Sequence, residues 1–254
     1  EPPFCSFNDE FNGNRMRKKL RRFLRRAVTE KLGVNRDAKL IDHYLRETVG
    51  PKKLQLGCGR NWLEGWLNSD YYPRTSDILH LDVTAPLPFS DGVFDYVFSE
   101  HVIEHISYPN GVFMLSECLR ILKPGGVARI ATPDLSFLIK LYRADDVSAE
   151  PRQAIEQEFL EFFLGNEIKD RANNAPVDFD VYLINKFVRA WGHEFIYDEK
   201  TLKYVFSDLG FTDIARRNVM ESDHAALQNL ENIDRKPAGH IALETVVLEA
   251  RRPI

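Results

Sequence analysis

The sequence predicts an α/β fold, a doubly wound and mostly parallel sheet with a helical insertion. Three observations carry this. Short β-type runs divided by turns recur from Lys53 to Thr132. A glycine turn, Gly57-Cys58-Gly59, follows the first run directly. A long helical stretch over 135–195 then separates these runs from two more strands near the end of the chain. Strands alternating with helical or turn segments argue for a parallel sheet with layers on both faces.

In chain order, residues 1–14 read as a flexible arm rich in Pro, Asn and Asp. From Arg15 to Leu32 the apolar residues Met16, Leu20, Phe23, Leu24, Ala27, Val28 and Leu32 recur at helical spacing, with arginines on the other face. A second helix is predicted over Ala38–Thr48, ended by Gly50-Pro51. Strands follow at Lys53–Leu56, Trp66–Asp70, Ile78–Asp82 and Phe94–Glu100, then a long helix from Val102 to Leu122. Lys123-Pro124-Gly125-Gly126 signals a turn before a strand over Val127–Thr132. The 135–195 stretch is too long for a simple crossover and is expected to form a helical cap. A helix over Asp198–Leu209 closes at Gly210, and Phe211–Val219 and Ala242–Ala250 are the last strands, divided by a polar loop over 220–240. The expected domains are therefore a helical extension (1–50), an α/β body (51–134 and 196–254) and a cap (135–195).

A chain of 254 residues buries one sizeable core, and its 44% apolar and 28% charged residues are those of an ordinary globular protein. It opens on Glu1 in place of Met, as a trimmed or processed product does, and shows no secretory apolar region. Cys5, Cys58 and Cys118 form neither a CxxC pattern nor a disulfide framework, so a reducing cytoplasm is expected. Residues 1–50 hold 12 Lys/Arg against 7 Asp/Glu, whereas the remainder is acidic. Most of the surface thus lacks the basic field that holds a nucleic-acid backbone. The eight basic residues of 15–26 suit three readings. The 15–32 helix lies on an anionic membrane surface, binds an acidic polymer or nucleic acid, or packs its apolar stripe over the cleft.

Three successive strand ends carry the groups an adenosine ligand needs. Leu56 leads into the Gly57-Cys58-Gly59 turn, Asp70 ends the second strand, and Asp82 ends the third in Leu81-Asp82-Val83. Glycines let backbone approach a ligand, one carboxylate suits ribose hydroxyls, and another suits an adenine amino group, all at the carboxyl edge of the sheet. Trp62 stands where a dinucleotide fingerprint has its third glycine, which counts against NAD or FAD.

The ordered series LQLGCGR (54–60), NSD (68–70), LDVTAPLPFSDGVFDYVFSEHVIEH (81–105) and LKPGGVARIATP (122–133) resembles the motifs of class I S-adenosylmethionine-dependent methyltransferases, in particular the small-molecule branch. HEFIYDEKTLKYVFSDLGF (193–211) extends the likeness loosely. The resemblance implies a seven-stranded Rossmann-like sheet and S-adenosylmethionine as cofactor. Gly57, Cys58 and Gly59 would line its methionine and ribose, Asp70 the ribose, Asp82 and Val83 the adenine, and Ser99 the sulfonium. The ten residues between Gly59 and Asp70 leave a shorter crossover than this fold usually has.

Transfer of a methyl group to a hydroxyl requires a placed nucleophile and removal of its proton. His101, Glu104 and His105 stand at i, i+3 and i+4 after the fourth strand and share a face there. One reading makes a histidine the general base, or makes the cluster the holder of a divalent metal that acidifies the acceptor. Quinone-type O-methyltransferases look similar here, with Glu where this chain has His101. A second reading is structural, with Glu104 and His105 fixing loops. The H-x-x-E-H spacing also belongs to inverted zinc peptidases. His193 stands where the cap returns to the sheet and could face the cleft; His224 and His240 flank the last loop. Tyr71, Tyr72, Tyr182 and Trp191 could stack on a ring substrate or pack in the core. The leading expectation is O-methylation of a small molecule or glycan. N- or C-methylation, a non-catalytic adenosyl-binding module and a metal-dependent hydrolase are the alternatives.

Overall fold

A computed structural model of the chain describes residues 36–142, 180–234 and 239–254. The expected arm, the basic helix over 15–32 and much of the cap lie outside the described residues. The chain divides into the units Glu1–Glu47 and Thr48–Ile254. In the first, residues 36–47 form helix α1, with Arg46 donating to Asp42 one turn back at 2.8 Å.

The second unit is built on seven strands: β1 Lys53–Leu56, β2 Leu67–Asp70, β3 Leu79–His80, β4 Phe94–Glu100, β5 Leu122–Pro133, β6 Thr212–Arg217 and β7 Thr245–Arg251. Their order is β3-β2-β1-β4-β5-β7-β6. β7 runs antiparallel to β5 and β6, and the other neighbours are parallel. The order reverses between β1 and β4, so the crevice beyond their carboxyl ends is the place where such sheets take ligands. Near-continuous burial along β4, β5 and β7 reflects their central positions, where both faces are covered.

Helix α2 (Tyr108–Ile121) buries Met114, Leu115, Cys118 and Ile121 and packs on β5. α3 (Leu135–Tyr142) and α4 (Asp180–Arg189) pack together, and α5 (Glu199–Asp208) lies against β6 and β7. Asp198 caps α5 through the Thr201 N–H at 2.8 Å.

Four boundaries differ from expectation for local reasons. The predicted 102–122 helix is divided: His101 takes φ +52°, Ile103–His105 form one 3₁₀ turn, and α2 starts only at Tyr108. Pro109 fits the first turn of α2 because its missing N–H has no partner there. The Pro124-Gly125-Gly126 signal does not end a strand; β5 runs through it, with a register shift opposite Phe94–Tyr96 and Gly125 at φ +78°. The third strand shortens to two residues because Asp82 turns the chain, its Oδ1 accepting from the Thr84 N–H (2.9 Å) and hydroxyl (2.6 Å). The expected last strand starts late, since His240–Glu244 form a short helix, α6.

The short crossover after Gly59 contains no helix. Residues 57–66 run as turns, and so do the links over 71–78 and 81–93. Cover over β4 and β5 comes instead from the late loop 218–234: Leu227 and Leu230 bury against Trp66, Phe98 and Val127. At about 25 cal/mol per Å² of apolar surface, this burial contributes to holding the loop down.

Candidate active site

At the head of β1 the chain makes the expected glycine turn, Gly57 at φ +67° and Gly59 at φ +55°. A side chain at Gly57 would lie 2.2 Å from a Val102 methyl, so only glycine fits. That contact brings the turn against the segment leaving β4. The Cys58 N–H donates to the Ser69 carbonyl at 2.8 Å, tying the turn to β2. Asp70 accepts from the Gly59 N–H through Oδ2 (2.8 Å) and from the Tyr72 N–H through Oδ1 (2.7 Å). Each carboxylate oxygen keeps a lone pair beyond these bonds, enough for two more donors.

Leu56 pairs in register with Ser99, whose buried hydroxyl has no hydrogen-bond partner among the described residues. Buried polar groups are normally satisfied, so an unanswered hydroxyl at this edge fits a bound polar ligand. Burial, then the neighbouring Asp70 charge, pushes the Cys58 thiol up to about 11. Cys58 is therefore a neutral wall residue and no nucleophile. Asp82 and Val83 follow β3 at the same edge, with Asp82 Oδ2 outside the Thr84 bonds. The residues expected to hold the cofactor thus stand along one edge of the sheet and fit an adenosyl ligand in chemistry.

Next to this edge lies the histidine cluster. Glu104 is fully buried; its Oε2 accepts from the Thr132 hydroxyl at 3.1 Å, and its Oε1 lies 3.1 Å from His101 Nδ1 and 3.9 Å from His105 Nε2. Burial raises its carboxyl, but the contact and charge of His101, and then the charge of His105, outweigh that and hold it below the usual range. His101 Nε2 faces the Thr245 hydroxyl at 3.3 Å. Both His101 nitrogens thus have a polar neighbour, and its side chain is only 9% exposed. His105 is 38% exposed.

His193 joins the cluster from the cap side, its ring 4.8 Å from that of His105. Glu194 and Phe195 N–H groups donate to the Glu104 carbonyl (2.8 and 3.3 Å), pinning this segment. Gly192, at φ +79°, passes over His105 Nδ1 where the chain turns. His193 Nδ1 donates to the Phe187 carbonyl, which leaves Nε2 as the acceptor nitrogen. Burial holds the His193 imidazole below its usual range, favouring the neutral ring.

The remaining candidates disperse. His224 lies 5.8 Å from the Tyr96 ring and beside Arg251, and His240 pairs with Glu244 on α6. Tyr71 and Tyr72 contact each other edge-to-face on the surface. Trp191 packs on Phe187 and lies 5.6 Å from the His193 ring, so it does stand beside the cluster. The Tyr182 side chain lies outside the described residues.

Several residues that anchor the loops were not singled out by sequence reasoning. Glu100, at the end of β4, accepts from the Asn232 N–H (2.9 Å) and from Asn61 (3.3 Å), and Asn61 also donates to the Leu230 carbonyl at 2.9 Å. These bonds knit the glycine-turn segment to the late loop. Arg129, fully buried on β5, donates to Glu231 and Glu249 at 2.7 Å each and to the Glu221 carbonyl at 2.8 Å. An arginine inside an apolar strand is the one sequence signal that could have revealed this anchor.

Residues 67–130 match the family model described as a methyltransferase domain. A probable S-adenosylmethionine-dependent methyltransferase of Mycolicibacterium smegmatis is 44% identical over 63 residues, 25% of this chain and 23% of that protein. The match thus spans about a quarter of the curated relative's length. Among solved structures, a methyltransferase of Archaeoglobus fulgidus superposes with a TM-score of 0.45 at 15% identity, covering 85% of this chain and 92% of that one. One from Mesorhizobium loti gives 0.45 at 18% identity, covering 81% and 93%. The methyltransferase-domain match thus falls within the α/β body, from β2 into β5. No described helix is long and apolar enough to cross a membrane.

Proposed function

We propose that the chain transfers a methyl group from S-adenosylmethionine to a hydroxyl of a small molecule or glycan. One observation carries this reading: the Gly57 turn packs on Val102, so the proposed cofactor edge adjoins the His101–His105 segment. The cofactor, when bound, supplies a sulfonium methyl as electrophile. The chain's own groups would hold it as follows: the Leu56–Gly59 backbone along the methionine and ribose, Asp70 at the ribose, Asp82 and Val83 at the adenine, Ser99 near the sulfur.

A hydroxyl acceptor must lose its proton, and the cluster is suited to that task. His105 is reachable, and His193 offers a neutral acceptor nitrogen. His101, enclosed between Glu104 and Thr245, acts as a positioning residue that orients Glu104; this moves it from the set of candidate bases. A neutral amine can attack before it loses a proton, whereas a hydroxyl depends on a base, which is why O-methylation is favoured over N-methylation. The hydrolase alternative does not find its helical H-x-x-E-H arrangement, since only Ile103–His105 form a 3₁₀ turn and His101 Nε2 faces the Thr245 hydroxyl.

A panel of hydroxylated and amino acceptors, read by release of the demethylated cofactor, tests this. Turnover is expected with a hydroxyl acceptor; turnover with amines alone overturns the O-methyl reading. The basic 15–32 stretch is proposed to hold the enzyme on anionic membranes from the cytoplasmic side. Vesicle flotation of the full chain against one lacking residues 1–32 tests it, and equal flotation contradicts it.

A further inference from the structure

We propose that Glu104, His105 and His193 form a binding site for a divalent transition cation of the zinc or cobalt class, with coordination positions left open for the acceptor hydroxyl. The role given to the ion rests on the methyl-transfer reading; the binding itself rests on geometry alone.

One ligand atom from each of the three residues lies within 4.8 Å of the others. Donors around one such ion, at bonds of about 2.0–2.2 Å, stand roughly 3.3 Å apart. The trio therefore closes on an ion by a shift of order 1 Å, which the partly exposed His105 supplies by rotation.

Each donor is held from behind, as metal ligands usually are. The Phe187 carbonyl fixes His193 with Nε2 unprotonated, the form that binds metal. Thr132 holds Glu104 Oε2, and His101 Nδ1 stands 3.1 Å from Oε1, which has no well-formed hydrogen bond. Glu194 and Phe195 fasten the turn that carries His193 to the backbone of Glu104. Two imidazoles and one carboxylate select zinc, cobalt or nickel over magnesium or calcium, which prefer oxygen ligands throughout. Three protein ligands leave positions at which an acceptor hydroxyl would be bound and made more acidic, the ion taking the place of a histidine base because it occupies those nitrogens. The set differs from the H-x-x-E-H spacing, because His101 serves as support and His193 arrives from the cap side.

The test uses the full, tag-free chain, dialysed against chelator and titrated with Zn²⁺ by calorimetry and with Co²⁺ by visible absorption. One ion per chain is expected, with visible bands on cobalt addition. His193→Gln and His105→Asn should each weaken binding by about 10–100-fold or more, taking supporting-residue losses as the floor. His105 is partly exposed, so its variant is expected to fold even if the buried Glu104→Gln does not. Absence of stoichiometric binding near 100 µM, or equal affinity across wild type and both histidine variants, overturns the proposal. S-adenosylmethionine titration of the same samples separates the two claims. Cofactor binding without metal binding rejects the cation alone, and metal binding without cofactor binding rejects the methyl-transfer reading.

Discussion

Asp70 holds the Gly59 and Tyr72 N–H groups, one on each carboxylate oxygen, and the proposed ribose contact would use its remaining lone pairs. Hydrogen bonds to a charged group are worth about 1.5–3 kcal/mol. Asp70→Asn should therefore weaken S-adenosylmethionine binding by roughly 10–100-fold, read by calorimetry, while the chain stays folded by circular dichroism. Unchanged affinity would remove Asp70 from the cofactor site. His193→Gln belongs to the chemical step, and its kcat should fall by about 10²–10⁴ with cofactor affinity retained. A KM change alone would instead mark His193 as an acceptor-binding group. Gly57 needs no ligand to explain its identity, because Val102 already excludes any side chain there.

At the scale of elements, two contacts decide how loops are presented. Asp198 caps α5, and Asp198→Ala should cost about 1 kcal/mol of stability in denaturant titration. Glu117 on α2 accepts from the Leu87 N–H (2.7 Å) and pairs with Arg120, which also holds the Phe89 and Leu87 carbonyls. Arg120 beside it holds the Glu117 carboxyl below the usual range. A depressed carboxylate contributes stability that is present above the unfolded value of about 4.3 and is lost as pH falls through the folded one. Acid titration of Glu117→Gln should show a smaller loss of stability below about pH 4 than wild type. Equal pH dependence would show that the pair contributes nothing to holding the 86–91 loop.

Across the whole molecule, the late loop takes the place of the crossover helices missing from the first half of the sheet. Its anchor is the buried Arg129–Glu231–Glu249 group. Removing one partner from such a group costs about 3–5 kcal/mol. Glu231→Ala should lower Tm by roughly 6–20 °C in a domain of this size. A shift under about 2 °C would show that apolar contacts alone retain the loop.

Sequence patterning made the parallel sheet, β1, β4 and the residues at its carboxyl edge legible, because strand burial and turn chemistry are local. The reverse holds for contacts between distant segments. Nothing local in His101 announces that Thr245 occupies its second nitrogen, and nothing in the late loop shows that Leu227 covers β4. His193 could be proposed from its place at the return of the cap, but its closeness to His105 depends on a turn over Gly192 that spacing alone does not specify.

The central claim is that this edge of the sheet binds an adenosyl cofactor. Calorimetric titration of the full chain with S-adenosylmethionine and with its demethylated product measures it directly. The account predicts one saturable site for each, weakened in Asp70→Asn; absence of binding by either ligand in the folded protein would contradict it.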